Sequence, residues 1–227
     1  MSSVQSISSA RFITPNVRGT AREVQELSEG EVIRIFIDGA CEPVNPGGIA
    51  TYGFVVYQGG KKVAEGSGVV EHPDPSNNIA EYSAAIAALR WLLESGLRGD
   101  RIVLTSDSNL LVSQLAGAYG VRAQRVLPLY EELERLIDEL RRQGKKVVCN
   151  WVPREENTEA DALSKRAYEE FCASHPEALQ HYAEYLVSEK QRKFMEKLGI
   201  PIPPGLSKRA ASKLIDERLE ELRSEQR

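Results

Sequence analysis

The feature that most constrains this chain is an apolar run, Val32 to Ile37, broken only by Arg34, that delivers a single carboxylate, Asp38, into a stretch of Gly, Pro and Asn, FIDGACEPVNPGG. Such a run reads as a largely buried strand, and an acid at its end places a charge at the rim of the sheet. Two further β-rich runs follow, TYGFVVYQ and KKVAEGSGVVE, separated by Gly59-Gly60, which predicts an antiparallel meander with a tight hairpin. In NNIAEYSAAIAALRWLLESG the apolar positions Ile79, Tyr82, Ile86, Leu89 and Leu93 recur at helical spacing and Gly96 closes the helix. The strand DRIVLTSDS, the short helix NLLVSQLAGA, the longer helix RVLPLYEELERLIDELRRQG, the strand KKVVCNWVP and the helix NTEADALSKRAYEEF complete the order βββαβααβα, an α/β fold with a mixed sheet.

The block from 31 to 172 is therefore expected to form one domain. Residues 1–30 are polar, Ser-rich and aperiodic, and read as a loose arm. Beyond 172 no strand signal remains. Residues 173–188 are expected as a linker helix and 189–227 as a small helical appendage around the turn GIPIPPGLS, with Ser207 as an N-cap. No apolar run is long enough to cross a bilayer and the N-terminus lacks the apolar middle of a secretory signal, so a soluble, cytoplasmic protein is expected, with no membrane partner. Three widely spaced cysteines, Cys41, Cys149 and Cys172, fit reduced structural thiols. A net charge of -4 means that any nucleic acid must be gripped locally or through metal ions.

Four acids sit at comparable places: Asp38 at the end of the first strand, Glu81 in the first turn of the first helix, Asp107 just past the fourth strand, Asp161 in the first turn of the last sheet-packed helix. Each alone reads as a turn or capping residue; Asn78/Glu81 and Thr158/Asp161 even have capping-box spacing. Four unrelated caps have no reason to share one edge of one sheet. Packed carboxylates repel unless cations neutralise them, and oxygen-only ligands select hard ions, Mg²⁺ or Mn²⁺. Two such ions roughly 4 Å apart suit phosphodiester hydrolysis, with Asp38 as their shared ligand.

FIDGACEPVNPGG, NNIAEYSAAIAAL, TSDSNLLVSQL and WVPREENTEADALSKRA resemble the four catalytic segments of type 1 ribonuclease H, in its archaeal and bacterial branch, across roughly residues 31 to 171. The resemblance implies an RNase H-like five-stranded mixed sheet flanked by helices. It also implies endonucleolytic cutting of the RNA strand of RNA/DNA hybrids, leaving 5'-phosphate and 3'-hydroxyl ends, with Asp38, Glu81, Asp107 and Asp161 as catalytic metal ligands. Substrate contacts are expected from Gly39, Asn45, Asn77 and Asn78, because amides and backbone groups suit the 2'-hydroxyl of RNA. Asn157 is expected to order the last loop and to belong to the same substrate surface.

Two departures stand out. Asn45 lies one residue further from Asp38 than in the bacterial housekeeping enzymes, and the loop histidine of those enzymes is replaced by Pro153, Arg154, Glu155 and Glu156, where Arg154 could hold a phosphate. The family's basic handle is reduced to Arg122 and Arg125. The C-terminal segment, with Lys190, Arg192, Lys193, Lys197, Lys208, Arg209 and Lys213, offers a possible second contact to nucleic acid or protein. The competing readings are a nuclease of the same fold acting on double-stranded RNA or a DNA junction, and a non-catalytic nucleic-acid-binding module.

Overall fold

Alternation along β1 (Val32–Glu42) decides how the layers assemble. Ile33, Ile35 and Ile37 are fully buried and face one side, where they pack with Ile79, Tyr82, Ile86 and Leu89 of α1 (Asn77–Ser95) and with Leu133, Ile137 and Leu140 of α3 (Leu127–Arg142). The opposite face of the sheet is covered by α4 (Thr158–Ser174). The structure, a computed structural model, describes residues 32–225; the arm expected over 1–30 lies outside the described residues.

β1 is the middle strand of the order β3-β2-β1-β4-β5. It pairs antiparallel with β2 (Ile49–Gln58) and parallel with β4 (Arg101–Ser106); β2 pairs antiparallel with β3 (Lys61–Val69), and β4 parallel with β5 (Lys146–Trp151). Gly59 and Gly60 have φ 57 and 71, the left-handed pair that a two-residue hairpin loop requires. The short helix α2 (Asn109–Leu115) follows β4 and is capped by the Ser108 side chain, which accepts from the Leu111 N–H.

Three boundaries differ from the sequence expectation. β1 does not stop at Asp38 but runs on to Glu42, because β2 keeps pairing as far as Glu42↔Ile49, whereas pairing with β4 ends at Phe36↔Thr105. Asp38 thus sits where β1 has lost its parallel neighbour and one flank stands open. Second, Ser76 caps α1, so Glu81 lies beyond the first turn and Asn78 caps nothing. Third, residues 173–188 form no linker helix. Pro176 follows the end of α4, and the chain coils into a 3-10 turn at Ala178–Tyr182 before Leu186 bridges to Ser207.

The last two helices, α5 (Glu189–Lys197) and α6 (Lys208–Glu225), close over a small core of Met195, Leu206 and Ala211. Ser207 accepts from the Ala210 N–H at 3.2 Å, as expected of the N-cap. This unit docks on α4 through Gly205, whose carbonyl accepts from the Tyr168 hydroxyl at 2.8 Å. Among the described residues no helix is long and apolar enough to cross a membrane.

Candidate active site

Two glycines bring the helices to the sheet beside Asp38. Gly39, buried on the α1 face, has no room for a side chain: a Cβ there would lie 2.3 Å from the Ala80 carbonyl carbon and 2.3 Å from the Glu81 nitrogen. Gly53, the β2 partner of Asp38, faces α4, where a Cβ would lie 2.5 Å from the Ala160 carbonyl oxygen and 2.7 Å from the Ser164 nitrogen. Bare backbone at these two points lets α1 carry Glu81, and α4 carry Asp161, to the same stretch of β1. The bare backbone of Gly39, expected among the substrate contacts, serves this packing; Gly53 carried no signal that sequence reasoning picked up, since a glycine in a strand marks close backbone approach only when the neighbour is known.

Asp38 is 7% exposed and accepts a hydrogen bond from the Ser164 hydroxyl of α4. Burial pushes its carboxyl above the ordinary range; the Ser164 bond opposes this, while the charges of Asp107 and Asp161 add to it. Burial pushes Glu81 up to about 8, with Asp38 and Asp107 reinforcing the shift and a hydrogen bond from Ser108 working against it. Asp38 thus feels the charges of Asp107 and Asp161, and Glu81 those of Asp38 and Asp107.

Asp107 is held in place from α4. Asn157, 1% exposed, donates through Nδ2 to the Ile37 carbonyl at 2.8 Å and to Asp107 Oδ1 at 2.9 Å. An amide this deep cannot touch a duplex, which corrects the expectation of a substrate contact: Asn157 fastens Asp107 to β1. Its Oδ1 is buried with no partner among the described residues. The indole of Trp151 donates to the Asp107 carbonyl at 3.0 Å.

Asp161 is differently placed. Burial alone would raise its carboxyl, but Lys165 at 2.5 Å and Arg154 at 2.7 Å, one on each oxygen, hold it below the usual carboxylate range. Arg154 also feels the charges of Asp38 and Asp107. Among the described residues no group of three or more Asp, Glu, His or Cys side chains encloses a metal position. The donor chemistry fits a hard divalent ion: the donors are all carboxylate oxygens, and two are driven toward protonation by burial, with the charges of neighbouring acids adding to it.

The first loop and the start of α1 are stitched together. Asn45 Oδ1 accepts from the Asn77 N–H at 2.9 Å, and Asn77 Oδ1 accepts from the Cys41 N–H at 2.8 Å. Asn45 and Asn77 are exposed, while Asn78 is half-buried beside them. The expected basic pair is partly spent, since Arg125 is bonded to Asp74 at 2.8 Å.

Residues 37–167 match the family model described as Reverse transcriptase-like. The bifunctional protein Rv2228c of Mycobacterium tuberculosis is 32% identical over 123 residues, 54% of this chain and 32% of its own length; the chain spans about a third of the length of the first curated relatives it matches. The solved N-terminal RNase H domain of that protein superposes with a TM-score of 0.55 at 31% identity, covering 63% of this chain and 97% of the domain. RNase H1 from the halophilic archaeon Halobacterium salinarum aligns with a TM-score of 0.53 at 33% identity, over 61% of this chain and 98% of that one. LC11-RNase H1, solved in complex with an RNA/DNA hybrid, aligns at 0.54 and 30% identity, over 60% and 95%.

Proposed function

This chain belongs to the Reverse transcriptase-like family and carries the RNase H fold, and from that premise we propose that it is a metal-dependent endonuclease hydrolysing the RNA strand of RNA/DNA hybrids to 5'-phosphate and 3'-hydroxyl ends. The observation that supports this most directly is the crowding of carboxylates at the open flank of β1, where Asp38 and Glu81 are both driven toward protonation by burial and by their acidic neighbours. Perturbed carboxyls of this kind cluster at functional sites. Mg²⁺ or Mn²⁺, two ions with substrate present, would be held by Asp38, Glu81, Asp107 and Asp161 and would supply the Lewis acidity for in-line phosphodiester displacement.

The protein's own groups divide the remaining work. Asp38 is central, held by Ser164, and is the natural shared ligand. Asn157 keeps Asp107 aimed at the same rim. Arg154, with a side chain 68% exposed, pairs with Asp161 in the loop where the bacterial housekeeping enzymes carry a histidine, and its planar fork can take two oxygens of a phosphate. Asn45 and Asn77 engage their carbonyl oxygens with backbone N–H groups, which leaves donor amides facing out toward a 2'-hydroxyl, with Asn78 next to them. Lys190, Arg192, Lys197 and Arg209, which form no ion pair among the described residues, offer a second contact to the backbone of nucleic acid. Free thiols at Cys41, Cys149 and Cys172 support a reducing, cytoplasmic setting.

The test is cleavage of labelled RNA/DNA hybrid, RNA duplex and DNA duplex in Mg²⁺, Mn²⁺ or chelator, with Asp107→Asn alongside. Cutting confined to the RNA strand of the hybrid, dependent on metal and lost in the variant, is expected. Cleavage of RNA duplex or DNA in preference to hybrid, or full activity of Asp107→Asn, refutes the reading.

A further inference from the structure

The segment that follows α4 makes a contact that reaches toward the candidate substrate surface. Tyr182, the last residue of the 3-10 turn, packs with Phe171 and Leu179 against Ile49, Tyr168 and Cys172, and its hydroxyl donates to the Gly47 carbonyl at 3.2 Å. Gly47 lies in the loop between β1 and β2 at φ 96, and its own N–H donates to the Pro75 carbonyl at 2.8 Å. Two residues earlier in the same loop, Asn45 is fastened to the N–H of Asn77. The loop is thus gripped on one side by the start of α1 and on the other by Tyr182, a residue more than a hundred positions away in sequence.

We propose that Tyr182 is a positioning residue for the loop that carries Asn45: by pinning Gly47 it holds the exposed Asn45 in place, so the 3-10 turn at Ala178–Tyr182 sets part of the affinity for the hybrid without touching it. The proposal rests on the nuclease reading above for the identity of the ligand, and on the structure alone for the clamp. A loop ordered in advance loses no conformational freedom when the duplex arrives, whereas a loosened loop must be ordered at the expense of binding. The chemical step, carried by the acids on β1, α1 and α4 and by Asp107 just past β4, is untouched by the clamp.

Three full-length variants separate the alternatives: Tyr182→Phe, which removes only the hydroxyl; Tyr182→Ala, which removes the ring; and Tyr168→Phe, which removes a comparable bond to the Gly205 carbonyl in the same cluster but away from the loop. Each is measured for kcat and KM on hybrid, for melting temperature, and, without substrate, for amide exchange in the peptide spanning 43–48. Tyr182→Phe is expected to raise KM about threefold to tenfold at unchanged kcat, the size of one hydrogen bond, and to speed exchange in the loop. Tyr182→Ala should do more of both, and Tyr168→Phe should lower the melting temperature while leaving exchange in the 43–48 peptide unchanged. Unchanged loop exchange in Tyr182→Ala overturns the clamp. Faster exchange with unaltered KM, or equal loop exchange in Tyr168→Phe and Tyr182→Phe, overturns the positioning role. If the wild-type protein does not act on hybrid, the nuclease reading fails instead, and exchange still decides the clamp.

Discussion

Replacing Gly39 by Ala is the sharpest perturbation of the site. The added methyl carbon would lie 2.3 Å from two backbone atoms of α1, where ordinary contact begins near 3.4 Å, so the helix must withdraw by about an ångström. Backbone cannot swing aside as a flexible side chain does. Overpacking of this kind costs roughly 1–3 kcal/mol of stability. The catalytic loss should be larger than that implies, because the displaced atoms belong to Ala80 and Glu81: a misplacement of about 1 Å at a reacting group lowers rate on the order of 100-fold. The assay is hybrid cleavage, as kcat/KM, beside thermal unfolding, for Gly39→Ala and two controls. Gly120→Ala, where a Cβ would meet nothing within 4 Å, should change neither quantity. Ile35→Val should cost roughly 1 kcal/mol of stability and leave kcat/KM within about twofold, because it thins the buried core without moving a helix. Should Gly39→Ala keep activity within about threefold of the wild type while folded, the argument that close approach of α1 aims Glu81 is wrong.

Two further outcomes follow from the electrostatics and the hydrogen bonds. Glu81 ionises near 4.5 in the unfolded chain but at about 8 in the fold, so between those values the folded state keeps a proton that the unfolded state has lost, and stability in chelator should fall as pH rises through that window. Glu81→Gln should flatten this slope in denaturant titrations at pH 5 and pH 8, and a slope that persists unchanged would show that the burial of Glu81 does not strain the fold. Asn157→Ala leaves the Ile37 carbonyl and Asp107 Oδ1 without their donor, which should cost about 1–3 kcal/mol in unfolding experiments and lower kcat more than it raises KM, since the residue aims an acid and does not meet the duplex.

Much of this architecture could be read directly from the chain. Apolar runs with β-branched residues gave the strands, three-and-four spacing gave α1 and α3, and Gly59-Gly60 gave the hairpin, because these signals are local and set by backbone geometry. Asp38 and Asp107 stood out for the same reason: each follows a run that has no other use for a charge. Ser207 could be recognised as a cap from the turn that precedes it, whereas Ser76 was missed because Asn78 offered the same chemistry two residues later and only the helix start decides between them.

What the sequence by itself determined, then, is the order of the sheet strands and the helices packed on them, and it offered four acids as candidates, since periodicity and an interrupted apolar run are properties of neighbours along the chain. The tertiary structure alone decided that Gly39 and Gly53 are the points at which two helices touch β1 from opposite faces, that Ser164, Ser108 and Asn157 hold those acids, that Arg154 and Lys165 occupy Asp161, and that Tyr182 reaches Gly47. Each of these joins residues from separate elements, and a missing Cβ or a single hydroxyl leaves no periodic trace. Whether such a residue matters depends on what the fold places within a few ångströms of it.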